Sequence, residues 1–363
     1  MGPLPAAPPL NHACPPPPRG WRGRAERRPA RTLPLLRDPT PGHTEHHERT
    51  FASWTARDGE RAWTQGNRHS KENAMSEPIV VGTDGSDESD RALQWAAAEA
   101  VLRERPLHIV HTVESWPYKA PLFMPPDTTE QMTRAGRRLL AAARERVQER
   151  WPDLETTTAL IAEDPPKALR DQSAKAFELV LGSRGRGGFA SMLLGSTSLR
   201  MAAHSTVPVV IVRGDTTDRG EIVVGVDLLT DAGTLLDYAF DAAALRDARL
   251  RVVHAWQTFS TSYDADHTVA IEQTKRDLRA QVVEAYQPLR AKYPGVDVVD
   301  EIALEHSVTA LSNASRNARL LVVGTHQRHW AAPQLGSTTH GVIHHAHCPI
   351  AVIPPTHGDR QEP

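Results

Sequence analysis

The chain repeats itself. Gly82 recurs as Gly225 and His111 as His254, each 143 residues on (225 − 82 = 143; 254 − 111 = 143). Trp151-Pro152 recurs as Tyr293-Pro294 and Gly182 as Gly324, 142 residues on. Gly195 recurs as Gly336 and Pro208 as Pro349, 141 residues on. Landmarks at near-constant spacing mean a tandem duplication. Whatever fold the chain adopts is therefore built twice, over about 76–214 and 220–355, with a short polar linker from Arg213 to Gly220.

Within the first copy, apolar runs alternate with helical patterns. Ile79-Val80-Val81-Gly82-Thr83-Asp84 predicts a strand ending in a turn, and Ser86 and Asp87 are candidate caps for a helix through Val101. Leu107–His111 predicts a second strand, 128–151 a long helix, Thr156–Ile161 a third strand and Pro165–Lys175 a third helix. Phe177–Leu181 predicts a buried fourth strand, Leu199–His204 a short helix and Pro208–Val212 a closing strand. Alternating strand and helix predicts a parallel sheet covered on both faces. The expected fold class is α/β, two tandem doubly wound five-stranded parallel sheets.

Composition narrows the function classes. The net charge of −2 offers no basic field for DNA or RNA. No apolar run approaches the roughly 18 residues of a membrane span. The only cysteines are Cys14 and Cys348, which excludes a disulfide framework and fits a reducing cytoplasm. Residues 1–74 hold 12 of the 29 prolines and no apolar periodicity, so this stretch is expected to be disordered. It has no apolar core of a secretory signal. Met75-Ser76-Glu77-Pro78 leads straight into the first strand and is the expected physiological start. Residues 356–363 read as a polar tail.

The chemistry concentrates after the fourth strand. Gly182-Ser183-Arg184-Gly185 is followed by nine residues and then Gly195-Ser196-Thr197, where a helix begins. A helix start offers unpaired N–H groups and the positive end of the helix dipole, and glycines allow close approach and φ > 0. This pattern predicts a phosphate cradle. In a doubly wound sheet, ligands bind in the crevice at the switch point. If strands one and four flank it, Asp84 faces the cradle, its carboxylate suited to a ribose hydroxyl or an adenine amino group. Asp-Gly-Ser-Asp is also ordinary turn chemistry.

Val81-Gly82-Thr83-Asp84-Gly85-Ser86, together with Gly182-x-x-Gly185-x9-Gly195-Ser196, resembles the universal stress protein family in its ATP-binding class. Pro208-Val-Val-Ile-Val matches that family's closing strand. The resemblance covers about 76–355. It implies an adenine nucleotide alpha hydrolase-like fold with strand order 3-2-1-4-5. ATP is the implied ligand, with Mg2+ as its counter-ion. Gly82 and Asp84 are implied at the adenosine end, and Thr112, just after strand two, beside adenine. Gly182, Ser183, Gly185, Gly195, Ser196 and Thr197 are implied at ribose and phosphates, with Arg184 and Arg186 as candidate phosphate partners. The closing strands would be sheet edges, which need cover. In the family they pair with one another, which implies an intramolecular pairing of the two domains and, beyond it, a homodimer.

The second copy departs from the pattern. It reads Gly324-Thr325-His326-Gln327, eight residues, then Gly336-Ser337-Thr338. Gln327 stands where Gly185 stood, and Leu228-Leu229 follow Asp227 where Gly85-Ser86 followed Asp84. A second site made of Gly225, Asp227, Gly324, Gly336 and Ser337 is expected to be the weaker one.

Other motifs lead elsewhere. Gly185-Arg186-Gly187-Gly188-Phe189-Ala190 matches a dinucleotide fingerprint but follows strand four, inside the longer motif. There is no G-x-x-x-x-G-K-[ST]. His340, His344, His345, His347 and Cys348 look like a metal cluster, yet His204 occupies the place of His345 in the first copy, so no metal is expected. Within the cradle only Asp84 and Ser196 are candidate bases or nucleophiles, and both have binding roles. A nucleotide-dependent stress regulator is thus favoured over an ATP hydrolase or phosphotransfer enzyme, and over a nucleotide-independent scaffold.

Overall fold

In the computed structural model, the residues described are 77–113, 128–185, 194–214, 219–257, 265–325 and 335–355. The proline-rich stretch 1–74, the suggested start at Met75 and the tail 356–363 lie outside them.

The first copy contains β1 (Ile79–Gly82), α1 (Asp87–Leu102), β2 (Leu107–Thr112), α2 (Thr128–Arg150), β3 (Thr156–Ile161), α3 (Pro165–Ser173), β4 (Glu178–Gly182), α4 (Ser196–His204) and β5 (Val209–Val212). The second contains β6 (Glu221–Gly225), α5 (Gly233–Leu245), β7 (Leu250–Ala255), α6 (Ala265–Lys292), β8 (Val298–Ala303), α7 (Ser307–Ala314), β9 (Ala318–Gly324), α8 (Ser337–His345) and β10 (Ile350–Ile353). Strand four begins one residue later than the apolar run and ends on Gly182. Thr112 closes β2 instead of following it, because its register with Ile161 continues the ladder.

The strands form one sheet, in the order β3-β2-β1-β4-β5-β10-β9-β6-β7-β8. Each half is parallel and runs 3-2-1-4-5 from its outer edge. The halves are not separate sheets: β5 and β10 pair antiparallel, Val210 opposite Ala351. The expected edges thus cover each other, and the sheet is parallel except at this central seam.

Alternation along the seam strands sends side chains into two cores. Val210, Val212, Ala351 and Ile353 join the core under α1 and α5. Val209, Ile211, Ile350 and Val352 join the core under α3, α4, α7 and α8. Strands apolar on both faces are what a doubly covered sheet requires. Phe240 of α5 is fully buried and stacks on Tyr293, centroids 5.8 Å apart.

One histidine is locked inside. His108 of β2 is 4% exposed, with Nδ1 2.8 Å from the Thr157 hydroxyl and Nε2 3.1 Å from Gln172 Oε1. Burial holds its pKa below the ordinary 6.5, against the opposing Gln172 contact. As pH falls below about 6.5, the unfolded chain takes up a proton that folded His108 refuses, so this contribution to stability is lost on acidification. Melting temperatures of wild type and His108→Gln between pH 8 and pH 5 should diverge, with the variant showing the shallower acid-side slope; parallel curves would exclude the effect.

Candidate functional site

Three pieces of chain meet at the carboxyl ends of β1 and β4. The first is the turn after β1. Gly85 adopts φ 77°, open to glycine at no steric cost, and its N–H is shared between the Thr83 hydroxyl (3.3 Å) and the Ser89 hydroxyl (3.1 Å). Asp84 Oδ1 accepts from the Ser86 N–H (3.0 Å) and from the Ser86 hydroxyl (2.6 Å). The same Ser86 oxygen accepts from the Ser89 N–H (3.2 Å) as the N-cap of α1. A capped helix start therefore aims the Asp84 carboxylate.

The second piece is the end of β2. His111 Nδ1 lies 2.7 Å from the Thr83 carbonyl, so that nitrogen carries the hydrogen and fixes the backbone beside Asp84. Thr112 follows, half-buried. Helix α2 comes close here at Gly136, where a Cβ would lie 2.7 Å from Leu160 and 3.0 Å from the His111 ring.

The third piece runs from β4 into α4. The Gly195 N–H donates to the Ser183 carbonyl (2.8 Å), and the Ser183 N–H donates to the Val212 carbonyl (3.0 Å). The Ser198 hydroxyl donates to the Gly182 carbonyl (2.7 Å). Gly195 is the N-cap of α4, which begins with Ser196 and Thr197 and has no side chain capping it. Glycine at the N-cap supplies no side chain to satisfy the first-turn N–H groups of α4.

The two sides touch at Gly185. A Cβ there would lie 2.5 Å from Asp84 Oδ2, so the carboxylate rests against bare backbone. At Gly182 a Cβ would lie 2.8 Å from the carbonyl carbon and oxygen of Glu88. At Gly82 it would meet Leu181 at 2.7 Å. Of the two uses of glycine expected here, these three residues serve close approach and not a left-handed backbone. Gly195 differs: among the described residues its nearest neighbour would be 3.5 Å away, room enough for a methyl group.

Arg184 is already engaged. Its Nη2 donates to Glu88 Oε1 (2.7 Å) in the first turn of α1. Burial opposes ionisation of Glu88, but its own backbone N–H and Arg184 hold the carboxyl below the usual range. Arg186 lies outside the described residues. A groove of about 550 Å³ lies away from this crevice, beside α2 and the outer strand β3, between Arg137, Arg144, Thr158 and Leu160.

The second copy keeps the frame and loses the fittings. His254 Nδ1 lies 3.0 Å from the Val226 carbonyl, and Thr339 donates to the Gly324 carbonyl at 2.7 Å, the counterparts of His111 and Ser198. Helix α5 starts at Gly233, whose counterpart is residue 90 (233 − 143 = 90), so it begins three residues later than α1, which starts at Asp87. Among the described residues a Cβ on Gly324 would find only Leu235, at 3.8 Å. Asp227 Oδ1 accepts from the Leu229 N–H at 3.0 Å, and Leu229 itself is 92% exposed. Helix α8 starts at Ser337 with Gly336 as its N-cap, again with no side-chain cap, and Gly225 packs against Leu311. Gln327 lies outside the described residues.

The supporting residues Thr83, Ser89, His111 and Ser198 are absent from the sequence-level site. A signal existed, since the pairs His111/His254 and Ser198/Thr339 keep their chemistry at the repeat spacing. Among the described residues no group of three or more His, Cys, Asp or Glu side chains comes together as a candidate metal site. His340 and His344 pack ring on ring at 4.7 Å, and burial pushes the Cys348 thiol up to about 12.

A ten-stranded sheet made of two 3-2-1-4-5 halves, each with a glycine-lined crevice at the switch point, defines a class. The sequence model of the universal stress protein family matches residues 75–213 and again 219–354, and the chain belongs to that family. Universal stress protein Rv2005c of Mycobacterium tuberculosis is 30% identical over 296 residues, covering 77% of this chain and 99% of its own. A relative from Mycolicibacterium smegmatis is 30% identical over 293 residues, covering 76% and 97%. A crystal structure of a universal stress protein from Archaeoglobus fulgidus shares the fold, with TM-score 0.57, 19% identity, and coverage of 78% of this chain and 98% of that one. Among the described residues no helix is long and apolar enough to cross a membrane.

The glycines themselves give a test that needs no ligand. Gly182→Ala forces a methyl group into the α1 backbone and should cost about 1–3 kcal/mol, as overpacking does, whereas Gly195→Ala should cost less than about 1 kcal/mol. Urea denaturation of the two variants checks the contrast, and equal losses would refute it.

Proposed function

We propose that the crevice of the first half binds ATP, and that the chain acts as a nucleotide-dependent regulator of a stress response. The observation that carries this reading is the contact of Asp84 with Gly185. It sets a fixed carboxylate against bare backbone at the switch point, one short segment away from the uncapped start of α4. In this reading Asp84 accepts from the adenosine end. Thr112 lies beside the adenine, and Gly82 admits the ligand by keeping β1 close to Leu181.

The residues fit the phosphate end as well. Ser196, Thr197 and the backbone of Gly182, Ser183, Gly185 and Gly195 offer hydroxyl and N–H donors at the positive end of a helix. Arg184 pairs with Glu88 in the free protein and is close enough in the chain to turn to the phosphates, with Arg186 beside it. Bound nucleotide brings its own Mg2+, which neutralises phosphate charge; the chain's part is to hold the adenosine and cradle the phosphates. Within the sequence motif Asp84 and Ser196 are the candidates for attack or proton transfer, and both have binding roles here, so the regulator reading is preferred to a hydrolase. The cytoplasm is the compartment this chemistry suits. Assembly of whole chains into a homodimer is part of the same proposal.

The second half is the weaker site. In its sequence Gln327 stands where Gly185 stood, a side chain in place of a glycine.

Calorimetric titration with ATP separates the sites. Gly195→Asp sets a carboxylate against the phosphates; at an effective dielectric of about 20 and a separation of about 4 Å the repulsion is roughly 4 kcal/mol, close to a thousandfold in affinity. Asp84→Ala should cost roughly 1–3 kcal/mol for a lost charged hydrogen bond. Gly336→Asp should change the total binding little. Loss of binding in Gly336→Asp with Gly195→Asp intact would assign the working site to the other half, and no heat with wild type would remove the proposal.

A further inference from the structure

Beneath the β5–β10 seam, the last turns of α1 and α5 exchange charges. Arg103, just past α1, pairs with Asp241 of α5, and Arg246, just past α5, pairs with Glu99 of α1. Arg103 and Arg246 are repeat counterparts (246 − 103 = 143), so each half reaches into the other with the same residue. The side chains of Glu99, Arg103 and Arg246 are only 3%, 4% and 7% exposed. Two guanidinium groups face two carboxylates, and the set is balanced.

Glu178 does not belong to that balance. It opens β4, fully buried, where the second half carries Leu320 (320 − 178 = 142). The Tyr238 hydroxyl of α5 donates to its Oε2 at 2.7 Å. Its Oε1 has no hydrogen-bond partner among the described residues. Phe177, the preceding residue, stacks on Tyr238 at 6.3 Å and lies under Arg103 at 4.5 Å. Arg105 covers the same ring but faces Glu77 at the surface. A carboxylate at Glu178 is therefore a third negative charge among two positive ones.

We propose that Glu178 is a proton-binding site that latches the two halves: with its proton it leaves the seam neutral, and without it an uncompensated charge lies between α1 and α5. The groups facing it are Glu99 of α1 with Arg103 just past it, and Tyr238 and Asp241 of α5 with Arg246 just past it. The flanking strands present Ile79 of β1 and, beside Leu179, Val209 of β5. Burial, with the Glu99 charge adding to it, pushes the carboxyl up to about 7, while Arg103, Tyr238 and Arg246 oppose the rise. Tyr238 stays a phenol, its pKa raised by burial and by the same carboxyl.

The sign follows from linkage. Below the carboxyl's ordinary 4.5 folded and unfolded chains both hold the proton; between there and about 7 only the folded chain does, so stability falls as pH rises through that window. In the full chain, the melting temperature of wild type should drop relative to Glu178→Gln between pH 5 and pH 8. Protection of the β5 and β10 amides in hydrogen exchange should weaken over the same range in wild type alone. Infrared titration of wild type should show a protonated carboxylic acid band that disappears near neutrality and is missing from Glu178→Gln. Should the variant not fold, titration of the wild-type band decides by itself. A pH-independent gap between the two proteins, or no protonated band at pH 6, would overturn the proposal.

Discussion

The antiparallel pairing of β5 with β10 is the interaction on which the rest of this molecule depends. Each half ends its sheet on a four-residue strand that is buried on both faces. Such a strand cannot stand as a free edge: its unpaired N–H and C=O groups would face water beside a hydrophobic face. Parallel pairing between the two would break the twofold relation of the halves. Antiparallel pairing keeps it, and it lets α1 meet α5 on one face. The outermost strands solve the edge problem differently. β3 begins Thr156-Thr157-Thr158, and β8 carries Asp300 and Glu301 in ion pairs with Arg279 and Arg251. Polar and charged edges discourage further pairing.

The seam also fixes where the crevices lie. In each half the switch point falls between strands one and four, one strand in from the seam. Helix α1 spans both places, with Ser86 and Glu88 at its start beside Asp84 and Glu99 and Arg103 near its end in the seam. β4 does the same, from Glu178 to Gly182. Any rigid displacement at one end of these two elements is felt at the other, because packed elements move as units.

Much of this was legible in the sequence. The alternation of strand and helix, the duplication, the start of α4 and the Ser86 cap follow from local patterns, which depend on neighbours in the chain. What was hidden involves distant partners. Phe177–Leu181 reads as an apolar run, and nothing within it shows that Glu178 points at charged and phenolic groups 60 or more residues away in either direction, such as Arg103 and Tyr238. Arg103 and Arg246 look like ordinary helix-end cations. Their role appears only when the halves are joined. For the cradle glycines the sequence left two reasons open. Glycine spacing signals either positive φ or close approach, and sequence alone cannot separate them; here Gly85 is the first kind and Gly182 and Gly185 the second.

The two halves show how one frame supports unequal sites. Duplication preserved what holds each half together: the ring of His254 on the Val226 carbonyl, the Thr339 hydroxyl on the Gly324 carbonyl, and the contact of Gly225 with Leu311. It did not preserve what surrounds the carboxylate. In the first half Asp84 is held by Ser86, which also caps α1, so orienting the carboxylate and starting the helix are one act. In the second, Asp227 is bonded by the backbone of Leu229, and α5 begins three residues later with no side-chain cap. Losing the serine cap removes the reason for the helix to start early, and the turn opens. Gly324 then no longer has a helix backbone pressed against it, as Gly182 has. Loss of the serine cap thus goes with a later helix start and a different hold on the carboxylate, while the strand order beneath is the same in both halves.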